Sequence, residues 1–405
     1  MALSGVSFSD QVREAALRYG FDAVGIARAS EPLGADFHRY EAFLQEGKQG
    51  EMNWLADHAA VRARLDGEGI LAGAKSVVCV ARRYHGDGEH ERTAPSKGGR
   101  DARPSPSGKH EDDGPQLAAT EPAGSPDVVE GIARYARGRD YHKFLRRRLR
   151  RLATFVRSLG TPEQPVRARP LCDDAPILER AWAVRAGLGF VGKNGMLIVP
   201  GLGSMVLLGE VVTTLDLLAG GAGPMNGLIQ ERCGACTRCL QACPTNAFSS
   251  AFVLDPRRCV SYLTIELRTA MPLELREGVG PHLFGCDDCQ TACPFTAGIG
   301  ANAPLDVRDG NPFAPLERWS RARLAQLLSL TDAEWHALFD GTPLRRAGRN
   351  GIARNAAIVL GNRGDPSALP ALREAASAHD DPVVREAASW GVIRIESQRK
   401  GPSRA

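Results

Sequence analysis

Eight of the chain's ten cysteines stand between positions 233 and 293. Cys233, Cys236, Cys239 and Cys243, with Pro244 behind them, have the spacing C-x2-C-x2-C-x3-C-P. In bacterial ferredoxins this spacing wraps three thiolates around one cubane cluster and sends the fourth, beside the proline, to a second. The later run supplies only Cys286, Cys289 and Cys293, so a thiolate must come from elsewhere, and Cys259 is the natural supplier. Ferredoxin logic then places Cys233, Cys236, Cys239 and Cys293 on one 4Fe-4S cluster, and Cys243, Cys259, Cys286 and Cys289 on another. Zinc knuckles and disulfides use similar C-x2-C pairs. A third cysteine at x2 and a Cys-Pro at x3 argue against zinc, and a disulfide framework suits a short secreted chain better.

With 405 residues, 43% hydrophobic and 24% charged, the chain has room for several domains and a substantial core. Its start lacks the basic and apolar regions of a signal peptide, and no apolar run reaches membrane-spanning length. The expectation is a cytoplasmic protein with no membrane partner, a reducing setting that suits thiolate-held clusters. A net charge of +4 does not mark a nucleic-acid binder. Locally, HKFLRRRLRR at 142–151 sets Phe144, Leu145 and Leu149 near helical spacing, continued by Leu152, with arginines outward. That basic face is either a solvated surface or a phosphate footprint.

From the N-terminus, the apolar strands FDAVGIA and KSVVCVA alternate with helical patterns, an α/β plan in which Cys79 is a small core residue. Residues 86–127 are so poor in large apolar side chains that a disordered insertion is expected. Tyr135, Asp140, Tyr141 and His142 then form a polar, aromatic cluster. Cys172-Asp173-Asp174-Ala175-Pro176 is a turn leading into a helix, its carboxylates serving either as a catalytic acid or as a helix cap. The glycines at 187, 189, 192 and 195 let backbone approach something bulky, and neither the dinucleotide nor the phosphate-loop motif is present. Beyond a Pro-rich linker at 301–315, IARNAA at 352–357 returns as VVREAA at 383–388, a HEAT-like helical repeat. Arg345, Arg346, Arg349 and Arg354 there offer a face to phosphates.

A bare ferredoxin needs no large α/β domain in front of it, so the clusters are expected to feed an acceptor cofactor within the same chain. Around the cysteine segment stand RRCVSYLTIELR, GCDDCQTACP, RYARGRDYHKFL, DDAPILER and AGLGFVGKN. In combination these resemble the epoxyqueuosine reductases over nearly the whole chain outside 86–127.

The resemblance implies an α+β multidomain protein. Residues 1–225 would form an α/β cobalamin-binding catalytic domain, 226–300 a ferredoxin-like domain with two 4Fe-4S clusters, and 301–405 a linker and α-helical HEAT-like domain. It implies reduction of epoxyqueuosine at the tRNA wobble position to queuosine, the last step in making that nucleoside. Asp173 matches the family's proton donor, which requires it to hold a proton near neutrality. Arg64, Tyr135, Lys193, Asn194, Ser204 and Ser261, with Asp173, fall in stretches similar to those around the cobalamin. Arg258, Tyr262 and Thr264 fall in the segment facing tRNA. The implied partners are the anticodon stem-loop of a tRNA carrying epoxyqueuosine and an external donor such as flavodoxin or ferredoxin, the protein acting as a monomer. Where the family usually follows its last Cys-Pro with Trp-Asn, Phe295-Thr296 stands here. Neither Asp36-Phe37-His38 nor Asp140-Tyr141-His142 completes the D-x-H-x-x-G motif that supplies cobalt with a lower histidine. The competing classes are a cobalamin-dependent reductive dehalogenase, expected to carry an export signal and no HEAT-like repeats, and a plain ferredoxin-type electron-transfer protein without a corrinoid.

Overall fold

The computed structural model describes residues 7–84, 128–173, 175–219, 230–297 and 311–400. The 86–127 insertion, Asp174 and most of the 301–315 linker lie outside the described residues.

Helix α1 (Phe8–Arg18) starts at Ser7, whose hydroxyl accepts from the Asp10 amide, a cap worth about 1 kcal/mol. Strand β1 (Ala23–Arg28), α2 (Ala35–Gln45), β2 (Ser76–Arg83), α3 (Tyr141–Arg157), β3 (Ala168–Leu171) and α4 (Glu179–Arg185) follow. A short hairpin of β4 (Phe190–Val191) and β5 (Leu197–Ile198) leads to β6 (Val206–Thr213). Four strands form one sheet in the order β1-β2-β6-β3. Every one of its pairs is antiparallel. The alternation of strands and helices thus builds an α/β/α sandwich, with no parallel sheet among the described residues. Burial explains why sequence could not tell: β2 is buried at all of its positions. Val78 and Val80 pack toward α1 and α3, whereas Val77, Cys79 and Ala81 pack toward α4. A strand covered on both faces reads as a continuous apolar run whichever way its neighbours point.

In α3 the apolar stripe Leu145, Leu149, Leu152 and Val156 is buried as its spacing predicts. Arg147, Arg150 and Arg151 face outward, but Arg148 is buried, its guanidinium 3.7 Å over the Phe144 ring.

The cysteine segment folds as short pieces: α5 (Arg238–Gln241), the β7 (Phe248–Ser250) and β8 (Val253–Leu254) hairpin, α6 (Val260–Ile265), α7 (Leu273–Val279), α8 (Asp288–Thr291) and α9 (Pro294–Ala297). The C-terminal helices are α10 (Arg318–Arg321), α11 (Asp332–Phe339), α12 (Gly348–Arg363), α13 (Leu369–Ala378) and α14 (Pro382–Lys400). IARNAA lies in α12 and VVREAA in α14, with α13 between them. Leu263, Leu283 and Phe284 of the cysteine segment share one core with Ile352, Ala356 and Ala387. Arg354 locks this junction: only 1% exposed, it donates to the carbonyls of Leu263, Leu267 and Thr269. It is therefore not part of a phosphate-facing surface. Of its companions, Arg345 pairs with Asp340, Arg346 with Glu266 and Arg349 with Asp332.

Candidate active site

A cavity of about 970 Å³ opens between the sheet domain, the cysteine segment and the start of the helical domain. Its walls carry Tyr84, Tyr135, Met196, Leu207 and Phe284, so it is largely apolar, with Arg62 and Arg346 among its few cations. Cys243, Cys259, Cys286 and Cys289 line it. Cys233, Cys236, Cys239 and Cys293 surround a separate small cavity with Lys193 and Phe295. The two groupings match the two cysteine sets drawn from spacing.

Asp173 follows β3 and projects into the large cavity. Its φ of 57° puts a non-glycine residue in the left-handed region, an unusual conformation that neighbouring contacts must hold. Its amide donates to Glu179 Oε1 at 3.0 Å, at the start of α4. Its Oδ2 accepts from the Tyr141 hydroxyl at 2.8 Å and lies 2.9 Å from His142 Nε2. The other imidazole nitrogen, Nδ1, lies 2.7 Å from Asp140 Oδ1. Asp140 is also the N-cap of α3, its side chain accepting from the His142 amide, so one carboxylate starts the helix and orients the ring. The Tyr141 ring stacks on the imidazole, their centroids 4.2 Å apart.

With a carboxylate at each nitrogen, the imidazole is most stable as the cation. Asp140 first and Asp173 second push His142 up to about 9. In return His142, helped by the Tyr141 hydroxyl, holds the Asp173 carboxyl below its usual range. This corrects the expectation that Asp173 itself keeps a proton near neutrality. The proton is present, but it rests on His142.

Behind this loop lies Glu210, paired across the sheet with Cys79 and Leu171. It is fully buried, and among the described residues neither carboxylate oxygen has a hydrogen-bond partner. Burial, reinforced by Glu179 and Asp173, raises its carboxyl well above the ordinary range and so favours the neutral form.

Among the residues singled out for the cofactor, Tyr135, Asp173, Asn194 and Ser261 reach the cavity wall. Arg64 does not: it is exposed and clamped to Asp66 at 2.6 and 2.7 Å, while Arg62, two residues earlier and 5% exposed, takes the wall position. Lys193 turns the other way, its Nζ donating to the carbonyls of Gly234 and Cys236. Ser204 is buried against the Thr296 hydroxyl at 3.1 Å. Of the residues expected at tRNA, Thr264 and Tyr262 are placed inward and Arg258 is half-buried. Thr264 is fully buried, its hydroxyl donating to the Val260 carbonyl and accepting from the Gly285 amide. Tyr262 is buried beneath Gly50, where any side chain would strike its hydroxyl, and that hydroxyl accepts from the Glu51 amide at 2.9 Å. Arg258 donates to the Thr245 carbonyl. The α6 helix presents Tyr262 and Thr264 to the core because Leu263 and its neighbours meet α12. His142, Tyr141 and Arg62 were not assigned roles from sequence, and Arg346 was read only as part of a phosphate-facing surface. An Asp-x-His at a helix start was the available signal for the first two.

The chemistry of the donor sets fits iron–sulfur clusters. All ten cysteines are free thiols, eight of them in the two sets. Burial pushes the Cys289 thiol up to about 12 and Cys286 further still, so only the charge of a bound metal makes them thiolates. The large cavity, at the upper end of small-molecule sites, is broad and apolar enough for a flat, bulky group such as a corrinoid beside the second cysteine set. His142 is committed at both nitrogens, and His38 is exposed beside Glu41, so neither is poised as a lower cobalt ligand.

Fold and site together define the class: a double-cluster redox enzyme whose electrons arrive at a cofactor-sized cavity equipped to deliver a proton. Comparison with known proteins narrows it. Residues 64–174 match the family description "Epoxyqueuosine reductase QueG, DUF1730", 232–296 the 4Fe-4S double cluster binding domain, and 344–403 HEAT repeats. The epoxyqueuosine reductase of Gloeobacter violaceus is 38% identical over 88% of this chain and 96% of its own. That of Escherichia coli is 31% identical over 96% and 90%. Among solved structures, an epoxyqueuosine reductase with an epoxyqueuosine-modified tRNA-Tyr stem loop superposes with a TM-score of 0.74 at 29% identity, covering 95% of this chain and 89% of that one. The Bacillus subtilis enzyme with its catalytic loop swung out of the active site gives 0.73 at 28% identity, over 97% and 94%. The chain belongs to the epoxyqueuosine reductase family.

Proposed function

We propose that this chain removes the epoxide oxygen of epoxyqueuosine at the wobble position of tRNA, completing queuosine. The observation that carries this is the opening of Asp173, backed by His142, onto the same cavity as Cys243, Cys259, Cys286 and Cys289. Converting an epoxide to an alkene takes two electrons and two protons and releases the oxygen as water.

Cys233, Cys236, Cys239 and Cys293 hold one 4Fe-4S cluster, and Cys243, Cys259, Cys286 and Cys289 the other. Tyr135, Asn194 and Ser261 would hold cobalamin in the cavity, and it would supply strongly reducing electrons there. Breaking the first carbon–oxygen bond leaves an alkoxide, and an acid placed on that oxygen accelerates such a step by about 10^2 to 10^4. His142 Nε2 passes its proton to Asp173 Oδ2, and Asp173 passes it to the oxygen. Asp140 keeps the remaining proton on Nδ1, so the ring stays oriented to be reloaded. Arg346 at the cavity wall, once released from Glu266, and the half-buried Arg258 beside the second cysteine set would meet the stem-loop's phosphates. An external one-electron carrier such as flavodoxin or ferredoxin recharges the clusters, and the protein works as a cytoplasmic monomer.

Deleting the gene and measuring tRNA nucleosides by mass spectrometry tests the assignment. Epoxyqueuosine is expected to accumulate at the expense of queuosine. Unchanged queuosine would overturn it.

A further inference from the structure

The first cysteine set lines a cavity separate from the large one, and the cations beside it outnumber the acids, which flank it at Glu231 and Asp255. The three segments around it, residues 188–199, 232–254 and 289–297, contain Lys193, Arg232 and Arg238 and no Asp or Glu. Arg232 and Arg238 are exposed, as are Gly234, Ala235 and Thr237 between them. This same rim exposes large apolar side chains. Phe252, Val253 and Phe295 are 36%, 38% and 37% exposed.

These features are joined. Phe295 packs edge-on against Phe190, with ring centroids 5.2 Å apart, and the Arg232 guanidinium lies 5.7 Å from the same Phe190 ring. On the other side the Phe252 amide donates to the Lys193 carbonyl at 2.9 Å, while Lys193 Nζ holds the Gly234 and Cys236 carbonyls. Phe252 sits at the β7–β8 turn with φ at 68°, an expensive conformation for a large side chain that has no core to fill. The Asn194 side-chain amide reaches the Cys289 carbonyl at 3.3 Å, tying this rim to the second cysteine set. The order from solvent inward is therefore apolar basic rim, first set, second set, cavity.

We propose that this rim, Arg232, Arg238, Phe252 and Phe295 around the first cysteine set, is where an acidic one-electron carrier protein docks to reduce the chain. The inference rests on the reading that the cysteines hold clusters. Opposite charge steers encounter, the exposed phenylalanines supply a small dry centre, and transient redox contacts of this kind are small and salt-sensitive. One electron passes per encounter: the carrier is oxidised by one electron and the first cluster reduced by one, with no bond made or broken. Two encounters supply one turnover.

The test uses the cluster-loaded full chain and two probes, an acidic flavodoxin hydroquinone and a reduced acidic 2Fe-2S ferredoxin. Cluster reduction is followed by stopped-flow absorbance across a salt series, with reduced methyl viologen as a reductant that needs no protein surface. The second-order rate with the acidic carriers is expected to fall steeply with salt, and to fall about tenfold or more in R232E/R238E. Phe252→Ser should lower it several-fold, and the viologen rate should stay within about twofold in each. Carrier rates insensitive to both salt and R232E/R238E would overturn the proposal, as would a carrier loss matched by the viologen. Protection of the rim by stem-loop RNA, seen as inhibition of carrier reduction that R232E/R238E abolishes together with RNA binding, would assign the surface to RNA instead. If the parent chain takes up no iron and sulfide, the cluster reading itself fails, which the metal analysis reveals before any kinetics.

Discussion

His142 Nε2 lies 2.9 Å from Asp173 Oδ2, joining the carboxylate that opens onto the cavity to an imidazole held on its far side by Asp140. The pair shares one proton, so removing either partner has a distinct signature. Asp173→Ala should lower turnover by at least about 10^2 while leaving cluster and cobalamin content unchanged. Measuring single-turnover rates beside iron and cobalt content decides it. Full activity in the variant would refute the acid role.

The pH dependence follows from His142. Its value is raised to about 9, so the proton it holds is available below that point and lost above it. Turnover should therefore hold through neutral pH and decline on the alkaline side near pH 9. In His142→Gln the rate should drop about tenfold or more and that alkaline limb should disappear. The same sign applies to stability: the His142 contribution is complete below the unfolded value of about 6.5 and fades as pH rises through about 9. Denaturant midpoints at pH 6 and pH 10, in parent and variant, measure it.

Glu210 works in the opposite practical direction at neutral pH. Its folded value is raised, so the unfolded chain, with an ordinary carboxyl, is favoured by ionisation as pH climbs above about 4.5. Glu210→Gln removes that penalty, and the variant should melt higher than the parent at pH 7.5, the gap closing toward pH 4.5. Thermal melts across that range are the check. A lower melting point at pH 7.5 would mean that the carboxyl stabilises the fold and would overturn this prediction.

Cys259 stands apart in sequence from the other ligands proposed for its cluster. Cys259→Ser should cost that cluster while sparing the first, cutting iron per chain by about half. Electron paramagnetic resonance of the reduced variant should retain the signal of one cluster. Loss of all iron would mean that the two sets assemble as a unit.

Arg354 tests the junction between the cysteine segment and the helical domain. Its bonds to three carbonyls leave those acceptors buried and unpaired in Arg354→Met, a loss of about 3 kcal/mol or more. A sharply lower denaturant midpoint is expected, together with easier loss of the clusters.

The cysteine sets were legible in the sequence because cluster ligation is governed by short spacing: C-x2-C-x2-C-x3-C-P restricts geometry within a few residues of backbone. The helical repeat was legible for the same reason, since IARNAA and VVREAA each carry their own apolar stripe. The aromatic and acidic neighbourhood of Tyr135, Tyr141, His142 and Asp173 was visible as composition, and a family resemblance marked Asp173.

Residue order thus sets the chemistry available to the chain: two sets of thiols, a carboxylate on a turn, a helical tail. The tertiary structure decided which of those groups meet. Sheet direction depended on strand pairing across the chain, which an apolar run such as β2 does not encode. Arg62 rather than Arg64 reached the wall, and Thr264 and Tyr262 turned inward, because each position is set by what packs behind it. The location of the proton was decided the same way. Which of His142 and Asp173 carries it depends on Asp140 and Tyr141 lying within hydrogen-bond reach, and electrostatic energies change so steeply over those few ångströms that only the folded arrangement determines the answer.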